Sequence, residues 1–97
     1  MFGWFDAKRA EEFGTSLAQF LIEKLPPGHM LAKSKLTSKT EYVMIQLQSK
    51  IDEFKKTEKL NLYKKAKLAN SFKWTLKDGG FEEAFNEKLV EWLLAHL

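Results

Sequence analysis

The 97-residue chain contains no cysteine. Disulfides, thiolate nucleophiles and cysteine-bound metals are therefore excluded, and the composition suits a reducing compartment. Histidine occurs only as His29 and His96, with no i, i+4 partner that would make a metal-binding pair. Arginine occurs once, as Arg9. A reader of base edges in DNA uses arginine more than lysine, so sequence-specific DNA recognition is disfavoured. No apolar run is longer than the four residues of Trp92–Ala95, far short of the roughly 20 residues a membrane span needs. The start, Met1-Phe2-Gly3-Trp4-Phe5-Asp6, has aromatics but no basic region and no long apolar region of the kind a signal peptide carries. A cytoplasmic protein is expected. The pair Gly79-Gly80 reads as the close of a helix rather than a phosphate loop. No serine or threonine has a histidine near it in a recognised nucleophile arrangement. Catalysis is not expected, no metal or cofactor is implied, and neither is a small-molecule ligand.

With 44% hydrophobic and 30% charged residues, the chain has the balance of a globular protein rather than a disordered one. Its length suits a single helical domain over residues 1–97. The net charge of +3 conceals a polarity. Lys55, Lys56, Lys59, Lys64, Lys65, Lys67, Lys73 and Lys77 make half of the cationic residues, and within 55–77 only Glu58 opposes them. An acidic segment follows, with Asp78, Glu82, Glu83, Glu87 and Glu91 against Lys88.

The hydrophobic pattern is helical throughout. Asp6 is a favourable N-cap, with Phe5 placed to staple the start. Ala10, Phe13, Leu17, Leu21 and Leu25 then recur at three- and four-residue spacing. Pro26-Pro27-Gly28 ends this helix. Residues 26–37 read as a long connection with at most a helical turn around Met30–Lys33. Ser38 and Glu41 match a capping box opening a second helix. Met44, Leu47, Ile51 and Phe54 form its seam. The seam fails at Glu58 and Asn61, which places a break or bend near Lys59–Asn61; one long bent helix is the alternative. A third helix over about Leu62–Lys77 buries Leu62, Ala66, Leu68, Ala69, Phe72 and Leu76. Gly79-Gly80 closes it by a left-handed cap, with Phe81 over the last turn. A fourth, over about Glu82–His96, carries the stripe Phe81, Phe85, Leu89, Trp92 and His96. Val90, Leu93, Leu94 and Leu97 lie on its other faces, so it is either central or shared with a second molecule. The expected fold is all-α, a compact bundle of about four helices.

Tyr63, Lys67, Asn70, Trp74 and Lys77 are spaced 4-3-4-3 and lie on a strip of the third helix apart from its apolar arc. With Lys64 they form the candidate binding face. As a recognition surface, the aromatics would stack on bases or on a partner's side chains, and the lysines would meet phosphates or carboxylates. As mere packing, the first helix or Trp4 and Phe5 would cover the strip while the lysines snorkel to solvent. The leading expectation is a non-enzymatic module that binds a protein partner or itself as a homo-oligomer. The second is an accessory nucleic-acid binder using Lys64, Lys67, Lys73 and Lys77. A third is membrane-surface attachment through Phe2, Trp4 and Phe5. The row Glu83, Glu87 and Glu91 reads as a solvated face that would screen the lysines if the third and fourth helices pack antiparallel.

Overall fold

Among the described residues four helices follow one another: α1 (Lys8–Lys24), α2 (Lys33–Thr57), α3 (Leu62–Asp78) and α4 (Glu83–His96). A computed structural model describes residues 7–25 and 33–97, and the side chains of all of these but 33–39. The fold is an all-α bundle, as the periodicity implies.

α1 packs chiefly on α3. Ala10, Gly14 and Ala18 are buried on one face of α1, and small side chains let two helix backbones approach closely. The approach is tight at Gly14, where a Cβ would collide with the backbone carbonyl of Leu68. Leu17, Leu21 and Leu25 extend the same face into the core. Asp6 lies outside the described residues, as do Phe5 and Pro26-Pro27-Gly28. Ala7 occupies the N-cap position and has no side-chain acceptor to offer.

α2 begins at Lys33, not at Ser38. Ser38 and Glu41 are both inside the helix, so the expected capping box does not mark its start. A cap is worth about 1 kcal/mol, and the run Lys33–Thr37 contains no proline or glycine to stop the helix from extending backward. α2 thus takes in residues 33–37 of the expected connection, while residues 26–32, with most of the turn expected around Met30–Lys33, lie outside the described residues. Val43, Leu47 and Ile51 enter the core. Phe54 stacks on Phe13 of α1, with ring centroids 4.0 Å apart.

The break falls where the seam fails. α2 ends at Thr57, and Asn61 caps α3, its Oδ1 accepting from the Lys64 amide at 2.8 Å. The single long helix is thereby set aside. Leu68, Ala69, Phe72 and Leu76 are buried as expected, but Leu62 and Ala66 are exposed. These two lie toward α4, at the end where it leaves a groove. α3 closes in a Schellman motif: Phe81 N–H donates to Leu76 O at 3.1 Å and Gly80 N–H to Lys77 O at 3.0 Å. Gly80, with φ 91°, takes the left-handed position, and Phe81 is buried over the last turn.

α4 returns antiparallel to α3. Asn86 Nδ2 donates to Lys73 O at 3.1 Å, while Val90 and Leu94 face the earlier turns of α3 across a cleft. Leu89 and Leu93 fill the core and Leu94 stays exposed. α4 is therefore not central in the bundle. Its last turn is held by Lys55 Nζ, which donates to His96 O at 3.1 Å, a favourable place for a cation. His96 stacks on Trp92 and bonds its carbonyl through Nδ1.

Candidate functional site

The strip on α3 is at the surface. Trp74 is 50% exposed and Tyr63 36%, and Asn70 and Lys77 are exposed with them. The strip is also knitted to itself. Trp74 Nε1 donates to Asn70 Oδ1 at 3.1 Å. Lys77 Nζ sits 4.9 Å from the Trp74 ring centroid, and Lys67 Nζ 5.5 Å from that of Tyr63. One π-face of each aromatic thus carries its own lysine. Exposed cation–π pairs are worth about 0.5–1 kcal/mol, so they orient the rings without locking them.

Lys64 is not on this strip. It is 9% exposed, turned toward the joint between α2 and α3, with its Nζ 3.6 Å from Glu58. Arg9 of α1 approaches the same carboxylate at 3.5 Å. A cation in the first turn of a helix is opposed by the helix dipole. Glu58, well shielded from solvent, supplies the compensation that Asn61 alone does not. The signal was in the sequence: Glu58 is the sole acid among eight lysines.

Two clefts flank the strip. Between α1 and α3, a polar one of about 550 Å³ is lined by Lys8, Glu11, Glu12, Gln19, Lys67 and Asn70, among others. At its base, Ser71 Oγ donates to Glu11 O at 2.8 Å. Its only proton is thereby used, so Thr15 Oγ1 must be the donor in the 2.6 Å contact between the two hydroxyls. Both hydroxyls serve to tie α1 to α3.

Between α3 and α4 lies the second, in two lobes that share Lys73. One lobe, of about 530 Å³, has apolar walls from Leu62, Ala66, Ala69, Val90 and Leu94, with Lys65 and Lys73 at its rim. Leu62 is 84% exposed and Leu94 49%. The other lobe, of about 250 Å³, lies between Trp74, Lys77, Phe81, Glu83 and Glu87. Asn86 lines it, nearly fully buried, and its Oδ1 has no hydrogen-bond partner. Asn86 falls on the core arc with Leu89 and Leu93, a polar residue at an apolar position, and that was its sequence signal.

The acidic row reaches this groove but does not neutralise the lysines. Glu83 and Glu87 share a lobe with Lys73 and Lys77. The ion pairs of Lys56 with Glu53 and of Lys64 and Arg9 with Glu58 involve neither Glu83 nor Glu87. The α3 side of the groove is thus basic and the α4 side acidic. Among the described residues no three His, Asp or Glu side chains cluster to hold a metal ion. No described helix is long and apolar enough to cross a membrane. Comparison with family models, curated proteins and solved structures gave no match to this chain.

Proposed function

We propose that this chain is a small non-enzymatic interaction module that binds a protein surface, a partner's or its own, through the face made by α3 and α4. One observation carries the reading. Leu62 and Leu94, large apolar side chains, stand exposed on either side of a cleft walled by Ala66 and Val90. Scattered exposed leucines are ordinary, but facing ones on the rims of one apolar groove form a patch. The half-exposed Trp74 borders it, with the rigid amphipathic surface that interfaces use as anchors. The hydroxyls of Thr15, Ser71 and Thr75 and the ring of His96 are engaged in structural hydrogen bonds, which supports a non-catalytic role. The lack of cysteine supports a reducing compartment such as the cytoplasm.

The experiment is photo-crosslinking from position 62 in cells. Adducts with protein are expected, and they should vanish when Leu94→Glu is added. A probe that yields no protein adduct overturns the reading.

A second reading, accessory nucleic-acid binding, is favoured by one observation. Lys73 makes no ion pair within 4.0 Å among the described residues and shares a lobe with the exposed Trp74. A base stacking on Trp74 from the side Lys77 occupies would first displace that ammonium. Binding to mixed-sequence DNA and RNA, titrated with salt, decides it. Affinity weaker than about 100 µM at low salt, or a flat salt dependence, removes it.

A further inference from the structure

We infer that the α3–α4 face pairs with the same face of a second copy of this chain, with α3 of each protomer seated over α4 of the other. The inference rests on the interaction-module reading and names the partner.

The argument is one of charge geometry. Along one side of the groove α3 presents Lys65, Lys73 and Lys77. Along the other, α4 presents Glu83 and Glu87, with Glu91 exposed beyond them. The apolar residues Leu62, Ala66, Val90 and Leu94 line the lobe further along the groove, away from Lys77 and Glu83. A partner of a single charge sign would be repelled by one side of this face. A surface with the opposite left–right division satisfies both, and this chain has one. Rotation about a two-fold axis parallel to the helices exchanges left and right while keeping height along the groove. It therefore lays the basic side of one protomer on the acidic side of the other. An axis across the helices would instead put lysine on lysine.

Keeping height also fixes the register. Within one chain, Lys73 is level with Asn86 and Glu87, Lys77 with Glu83, and Leu62 with Leu94. In the dimer, Lys73 then meets the partner's Glu87, Lys77 the partner's Glu83, and Leu62 the partner's Leu94. The result is an isologous interface built as an antiparallel four-helix layer. The face is about 22 Å long, from 15 residues at 1.5 Å rise, and two helices wide. That is the small end of specific interfaces, which implies weak, concentration-dependent association.

Sedimentation equilibrium of the full chain from 5 to 500 µM tests it. A monomer–dimer equilibrium is expected, weakened by salt and abolished by Leu62→Glu. Lys73→Glu and Glu87→Lys should each weaken it at least about tenfold, because each places like charges in contact twice per dimer. An equimolar mixture of the two variants restores both contacts, so it should dimerise nearly as well as the parent. All three positions are exposed, and unchanged circular dichroism checks that each variant folds. A strict monomer at 500 µM overturns the proposal, as does a dimer indifferent to Leu62→Glu or a mixture that stays monomeric. None of these results touches the crosslinking result, which can still find a different protein on the same groove.

Discussion

Lys64 and Glu58 form a partly shielded ion pair across the joint between α2 and α3, Nζ to Oε2 3.6 Å, with about one-eighth of each side chain exposed. The pair sits where the seam of α2 fails and the chain turns. It couples the turn to α1 as well, because Arg9 reaches the other oxygen of the same carboxylate.

Glu58→Ala is expected to destabilise the fold by roughly 2 kcal/mol, because it leaves Lys64 buried without a counter-charge. Arg9→Ala should cost only about 0–1 kcal/mol, since that side chain is mostly in solvent. Lys64→Met, which removes the buried charge and keeps the stem, should cost less than Glu58→Ala. Urea denaturation of the three variants gives the order. Equal losses for Arg9→Ala and Glu58→Ala would show that Lys64 does not depend on the pair.

Gly14→Ala should destabilise by roughly 1–3 kcal/mol through overpacking, even though alanine is the better helix former by about 1 kcal/mol. The new methyl meets the Leu68 backbone carbonyl, which cannot move without shifting α3. At Gly79, where φ is −78°, an added methyl collides with Cδ1 and Cγ1 of the Ile22 side chain, which can turn away, and makes only an ordinary contact with backbone, at Leu76 O. Gly79→Ala should therefore be the milder change. Thermal melts that reverse this order would contradict the close approach of α1 and α3.

Trp74→Ala should cost no more than about 1 kcal/mol, the worth of one exposed hydrogen bond and one exposed cation–π contact. Phe72→Ala, two residues earlier but fully buried, should cost about 3–5 kcal/mol. With Trp4 and Trp92 replaced by phenylalanine, acrylamide should quench Trp74 readily. A protected Trp74 signal would mean that something covers the strip.

Asn86→Asp should destabilise by roughly 1–3 kcal/mol at pH 7. A carboxylate cannot donate to Lys73 O, and it would be buried beside that carbonyl. The introduced carboxyl would titrate higher in the folded than in the unfolded chain. Its penalty is therefore full above the folded value, shrinks as the pH falls through it and is gone below the unfolded value of about 4. Stability of variant and parent measured from pH 7 to pH 3.5 should converge at the acid end; a constant gap would refute the hydrogen bond.

Much of the fold was legible because it depends on period. The stripes Leu17-Leu21-Leu25, Leu47-Ile51 and Leu68-Phe72-Leu76 specify which faces go inward, and Gly80 with Phe81 specifies how α3 stops. The start of α2 was misplaced because a capping box is a local preference of about 1 kcal/mol that an uninterrupted helix overrides. The burial of Leu62 and Ala66 was misjudged for another reason. An apolar arc tells which residues share a face, but not how far along the helix a neighbour reaches. The candidate strip was found by the same projection, except for Lys64, whose burial depends on an acid six residues away in the joint before α3.

By itself, then, the sequence determined four helices, their inward stripes, the break before α3 and the separation of the Tyr63–Trp74 strip from the core. These follow from spacing along one chain. Only the tertiary structure decided that the strip stays at the surface, that Glu58 claims Lys64, and that Leu62 and Leu94 face each other across a groove basic on one side and acidic on the other. Those facts depend on which helices meet and at what height, and distances between helices are not encoded in any local period.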